Sequence, residues 1–214
     1  MRKSRKEIKV ITPSNVGWLE YKLNPQEMDY LWRCIETNKK RSFKNNLAGN
    51  ISSSYSLMDR GDWFFTNVCT PLINAYSERF YNLGDSIPIM GVHPYYMSTW
   101  WVNYQKQNEF NPIHNHQGVY SFVIWMKIPY DSKKQNLKDI ARVSNNPQIG
   151  NFQFVYADIL GRSESHEYRL SPEYEGTMLF FPAELDHMVY PFYDCDEDRI
   201  SISGNIMVDH NRRL

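Results

Sequence analysis

Three things are scarce in this chain of 214 residues, and each scarcity excludes a class of protein. Cysteine occurs three times, at Cys34, Cys69 and Cys195, with no Cys-x-x-Cys spacing. Thiols so scattered build neither a disulfide framework nor a zinc knuckle, and they fit a reducing compartment. Net charge is missing: 24 Lys plus Arg balance 24 Asp plus Glu. A neutral chain has no global attraction for nucleic-acid phosphates or anionic membranes, which argues against either as a partner. Long apolar runs are missing too, and no stretch approaches the roughly 20 residues of a membrane span. No apolar segment follows the basic opening at residues 1–6, so it does not read as a secretory signal. It reads as a solvated, frayed terminus, and the expected location is the cytoplasm of the producing or host cell.

Aromatic residues, by contrast, are abundant at 15%, with six Trp and fifteen Tyr, and they favour strands and large sheet cores. The length suits one domain, long enough to bury about 70% of the surface of its unfolded chain. Two parts are expected within it. Residues 1–90 form an arm and supporting helices, and residues 91–214 form a β core integrated with them. In the first part, the alternation around Ile8 and Val10 before Pro13 fits an edge strand or arm. Asn24-Pro25 reads as an N-cap followed by proline at the first helical position, and Met28, Leu31, Trp32 and Ile35 continue a helix over 25–40. Residues 44–59 read as a polar loop or lid. An apolar stripe from Phe64 to Phe80 predicts a second helix over 60–83. From residue 90 onward the texture is that of strands, at 96–104, 119–128, 151–159, 167–170, 177–181, 187–190 and 201–208. The polar segment 131–150 between them reads as a long, mobile insertion. Short strands without regular helix alternation predict a mainly β sandwich or jelly roll with flanking helices.

The residues that carry chemistry fall within that β region. His114 and His116 are two apart, so on an extended segment both imidazoles share one face. His187 follows a glycine turn and an apolar run, Gly176 to Pro182, that should be a rigid core strand. Three imidazoles suit an iron centre with open positions, and they suit zinc equally by ligand type. The competing reading makes His114 and His116 solvated loop residues beside Pro112. It leaves His187 and Arg199 without a role. Arg199 opens an apolar strand, where a buried charge needs a partner, and Ser201 shares its face. A dicarboxylate could chelate the metal at one end and dock on the Arg199 fork and the Ser201 hydroxyl at the other. His93, His166 and His210 lie outside any paired arrangement and read as structural or solvated.

In these residues the chain resembles the 2-oxoglutarate- and Fe(II)-dependent oxygenases, most closely a branch found in bacteria and marine phages. The resemblance runs through Trp101-Val102-Asn103, His114-Asn115-His116, the turn from Pro172 to Gly176, Phe181-Pro182, His187, and Arg199-Ile200-Ser201 through Asn205. It covers residues 95–208. It implies a double-stranded β-helix with an N-terminal helical support, and Fe(II), 2-oxoglutarate and dioxygen as cofactor and co-substrates. The implied reaction couples decarboxylation of 2-oxoglutarate to succinate with oxidation, most simply hydroxylation, of a small molecule or a protein. It also implies iron ligation by His114, His116 and His187, with Arg199, Ser201 and Asn103 at the co-substrate. One departure stands out: His116 occupies the place where most of the superfamily has Asp or Glu. An alternative is a cupin-like metal-binding barrel that holds a small acid without turnover. Its usual glutamate is missing, since Tyr120 and Ser121 stand at that spacing.

Overall fold

The computed structural model describes residues 9–13, 15–38, 41–44 and 49–212, and the fold is mainly β. Two antiparallel sheets face each other. The larger has the order β1 (Leu19–Lys22), β8 (Thr177–Pro182), β5 (Tyr120–Lys127), β10 (Arg199–Val208), β3 (Tyr95–Gln105), β2 (Ser53–Ser56). The smaller has the order β4 (Asn111–His114), β9 (His187–Val189), β6 (Phe152–Ala157), β7 (Ser163–Tyr168). This is the expected jelly roll, with three edge strands, β1, β2 and β4, beyond the seven strands expected from the sequence pattern. The first 90 residues supply both edges of the larger sheet, β1 and β2.

Strand alternation sorts the side chains into two cores. Trp100, Val102, Phe122, Ile124, Met178, Phe180 and Ile202 leave the larger sheet on its outer face and meet the helices. Val123, Trp125, Leu179 and Phe181 leave its inner face and meet Phe152 and Phe154 of the smaller sheet. Helix α1 (Pro25–Thr37) starts where the sequence puts it. Asn24 and Glu27 form a reciprocal capping box, which satisfies donors the helix cannot use itself. The Asp59 carboxylate accepts from the Tyr30 hydroxyl and from the Phe64 and Phe65 amides, tying α1 to the second helical region.

That region is not the single helix expected over 60–83. A 3-10 turn at Arg60–Asp62 leads to a π-helical turn at Phe65–Cys69, and only Thr70–Arg79 is α-helical (α2). Pro71 explains the break. It has no N–H to donate, and its ring collides with a carbonyl four residues back, so the turn before it widens. Phe64 still reaches the core, fully buried against Trp100 and Phe122.

Other expectations change as well. Val10 and Ile11 are exposed and in no strand, and the N-terminal pairing falls to β1 instead. Residues 1–8, with the basic opening and Ile8, lie outside the described residues. Part of the expected lid is β2, paired to β3. The 131–150 segment is anchored rather than loose: it holds a short helix, α3 (Ser132–Gln135), and Gln135 exchanges two hydrogen bonds with the Tyr193 backbone, at 2.9 and 3.0 Å. Glycine is required at Gly118, where φ is +113° and a Cβ would stand 2.7 Å from the Ile206 carbonyl oxygen. That close approach carries the chain from the smaller sheet into β5.

Candidate metal centre

The two sheets enclose a cavity of about 560 Å³. Its walls are built from strand register. On β3 and β10 the paired residues Thr99 and Asn205, Trp101 and Ser203, Asn103 and Ser201, and Gln105 and Arg199 all line it. Opposite them stand the histidines. His114 ends β4 and pairs directly with His187 at the start of β9, which puts two imidazoles side by side. His116 lies just past β4 on a loop pinned by its own amide to the Ala183 carbonyl, 2.8 Å away. The three rings sit 4.3 to 5.3 Å apart by centroid, and one ligand nitrogen from each lies within 4.8 Å of the others.

Each ring has one nitrogen tied down. His114 Nδ1 meets the Pro112 carbonyl at 2.7 Å, His187 Nδ1 the Leu185 carbonyl at 2.9 Å, and His116 Nδ1 the Asn205 Oδ1 at 2.7 Å. An oxygen acceptor at Nδ1 fixes the proton there and leaves Nε2 with the lone pair, the usual way a protein orients metal-binding histidines. Burial lowers the pKa of all three, most of all that of His187, and takes His116 to about 4. Neutral imidazoles are the form that binds a metal. Among the described residues no carboxylate joins the cluster. Asp186 is engaged elsewhere, accepting from Asn115 Nδ2 at 2.9 Å.

Arg199 stands at the other end of the cavity, 2% exposed. Its guanidinium donates to the Tyr130 hydroxyl, to Gln105 Oε1 and, at 3.4 Å, to the Gly150 carbonyl. It lies 5.8 Å from the ring centroids of Tyr130 and Phe192. All these partners are neutral, and among the described residues no carboxylate pairs with it. A buried cation so placed lacks an anion. Two further polar groups on this wall, Asn103 Oδ1 and Trp101 Nε1, are buried without a protein partner. The cavity is thus supplied with unspent donors and acceptors, and Arg199 is its one permanently charged wall residue among those described. An acid that reached from the imidazoles to Arg199 would satisfy them. The residues present fit a divalent metal and a dicarboxylate.

All six residues singled out in the sequence line this one cavity. Four others carry structural weight that the sequence did not signal by type. Gln105 and Tyr130 hold the arginine, Asn205 holds His116, and Asn111 places its Nδ2 3.1 Å from His114 Nε2. Gln105 was open to discovery from spacing, two residues after Asn103 on the same strand face. Tyr130, just before the polar 131–150 segment, is buried at the arginine end, and Tyr55, Lys133, Lys134, Lys138 and Arg142 do not line the cavity. His93, His166 and His210 lie away from the cavity wall, as expected.

The family described as "Putative 2OG-Fe(II) oxygenase" matches residues 99–205, half of the chain. No curated protein matches the sequence. Among solved structures, the chain is similar to the viral collagen prolyl hydroxylase of Paramecium Bursaria Chlorella virus-1, solved as a 2OG complex. The identity is 12% and the TM-score 0.51, over 88% of this chain and 94% of that one. A prolyl-4-hydroxylase of Pseudomonas putida matches at 14% identity and TM-score 0.45, over 93% of this chain and 94% of that one. At such identities the first of these shows the shared fold.

Proposed function

Since this chain belongs to the 2OG-Fe(II) oxygenase family, we propose that His114, His116 and His187 ligate its iron and that Arg199, Ser201 and Asn103 hold its 2-oxoglutarate. Iron and 2-oxoglutarate together activate dioxygen for C–H oxidation, with succinate and carbon dioxide as co-products. The chain's own residues prepare the site. The Pro112 and Leu185 carbonyls and Asn205 keep a proton on each Nδ1, so three lone pairs are presented without a titration at neutral pH. Tyr130 and Gln105 hold the guanidinium fork toward the cavity, where it binds the distal carboxylate, and Ser201 adds a hydroxyl. Asn103 and Trp101 present unpartnered polar atoms to the same space. Val123, Trp125, Phe152 and Phe181 exclude water from the floor.

The observation that carries this reading is the buried Arg199 without an anion, facing three neutral imidazoles across one cavity. A cupin-like binder of a small acid would use the same charge, and the family match over residues 99–205 is what favours the oxygenase. The oxidised group belongs to a small molecule or a protein and enters past Asn115 and Gln117, exposed residues of the cavity rim. Prolyl hydroxylation is the activity named for the structural relatives above, and no residue in this cavity calls for proline. The described residues contain no helix long and apolar enough to cross a membrane. The scattered thiols support the cytoplasmic location, and the sheet edges β1 and β2, supplied by the first 90 residues, support one integrated domain. The test is His187→Ala. It should abolish stoichiometric iron binding while circular dichroism shows the sheet intact, and normal iron content in the folded variant would remove His187 from the site.

A further inference from the structure

We propose that the carboxamide of Asn111 is a fourth protein donor to the metal, an inference that rests on the three-histidine iron site proposed above. Asn111 opens β4, three residues before His114, and a register irregularity between them turns both side chains into the cavity. Its Nδ2 lies 3.1 Å from His114 Nε2, the nitrogen whose lone pair faces the metal position. In this arrangement the amide occupies that lone pair, and its own Oδ1 is buried with no partner. A buried carbonyl without a partner is destabilising.

A cation changes this balance. Once the His114 lone pair is given to a metal, Asn111 Nδ2 has lost its acceptor and faces a positive charge. A half-turn of the carboxamide exchanges nitrogen and oxygen. The orphaned oxygen then points to the metal, and the nitrogen no longer faces the cation. The spacing agrees. With metal–ligand bonds of roughly 2.1 Å, adjacent donors of an octahedron stand about 3.0 Å apart. The 3.1 Å between the Asn111 amide and His114 Nε2, a hydrogen bond here, would serve as such an edge once a metal is bound. The neighbourhood holds the amide close: a Cβ on Gly49 would stand 2.0 Å from Asn111 Oδ1, so only glycine there leaves room for it. The chain thereby recovers an oxygen donor that the histidine at position 116 does not supply. A neutral carboxamide oxygen is also the donor most easily released when an anionic co-substrate needs a position.

The test is an anaerobic titration of the metal-free full chain with Co(II), following the visible ligand-field bands, with no turnover required. Asn111→Ala should weaken Co(II) binding by about tenfold or more. Asn111→Asp, nearly isosteric and negatively charged, should strengthen it by a similar factor and shift the bands. If Asn111 only caps the empty site, removing it frees His114, so unchanged or tighter binding by Asn111→Ala overturns the proposal. Should Asn111→Ala not fold, Asn111→Asp decides alone, and binding no tighter than wild type overturns it. His187→Ala separates the two levels. Weak Co(II) binding there, beside normal binding in Asn111→Ala, sinks the fourth donor only. Normal binding in His187→Ala sinks the three-histidine site itself.

Discussion

Replacing Arg199 by lysine keeps the charge and removes the fork, so it isolates the geometry that the cavity is built around. A guanidinium has five N–H donors. Three are spent on Tyr130, Gly150 and Gln105, and five less three leaves two for a carboxylate. An ammonium can point one hydrogen bond at the same carboxylate but cannot supply two parallel ones. Hydrogen bonds to charged groups contribute about 1.5–3 kcal/mol each. Loss of one should weaken 2-oxoglutarate by roughly 10- to 100-fold. Iron affinity should not change, because Arg199 sits at the far end of the cavity from the histidines. The assay is an anaerobic titration of 2-oxoglutarate into Fe(II)-loaded Arg199→Lys, with thermal unfolding measured separately to show that the variant is folded. Unchanged 2-oxoglutarate affinity would refute the reasoning and make the buried arginine a structural cation. A loss of iron binding would refute it differently, by placing Arg199 at the metal.

Asn205→Ala removes the carboxamide acceptor at His116 Nδ1 and leaves only the Ser121 hydroxyl, 3.0 Å away, so metal affinity should fall about tenfold or more in an equilibrium titration while the secondary structure is kept. The metal-free protein should lose stability as pH falls. The three imidazoles are held below the ordinary value of 6.5, so beneath that pH the unfolded chain takes up protons that the folded chain refuses. Stability is intact above about pH 6.5 and declines toward about pH 4, with His116 alone accounting for about 3 kcal/mol across the window. Urea unfolding at about pH 7.5 and about pH 5 checks this, and equal stability at both would count against the burial of the cluster. Phe64→Ala should cost about 3–5 kcal/mol in urea unfolding, because the fully buried ring packs on Trp100 and Phe122.

The parts of the site that were legible in the sequence are those whose residue types are rarely buried without cause. An arginine opening an apolar strand and three histidines at fixed spacing needed a common explanation, and the cavity provides it. The alternation rule placed Arg199 and Ser201 on one face, the resemblance named Asn103, and the register of β3 with β10 puts Asn103 opposite Ser201. Asn111 and Tyr130 were not legible as site residues, because neutral polar side chains are common on strands and loops alike, while Gln105 was open only to its spacing from Asn103 and Asn205 appeared only as the end of the resemblance. Only tertiary contact shows that one holds a guanidinium and another an imidazole. The same limit applies to the fold. Long apolar strands declared themselves, whereas β2 and β4 are four residues each, polar, and defined by their partners. The second helix was misjudged in extent because its apolar stripe continues through Pro71, and the stripe carries no record of the missing N–H.

The most direct measurement is to mix the anaerobic protein with Fe(II) and then 2-oxoglutarate and record the visible spectrum. A metal-to-ligand charge-transfer band should appear with the wild-type chain and be absent from His187→Ala, which would place iron and a chelating 2-oxo acid together on these histidines. Iron bound without that band would contradict the account and reduce the cavity to a metal-binding barrel.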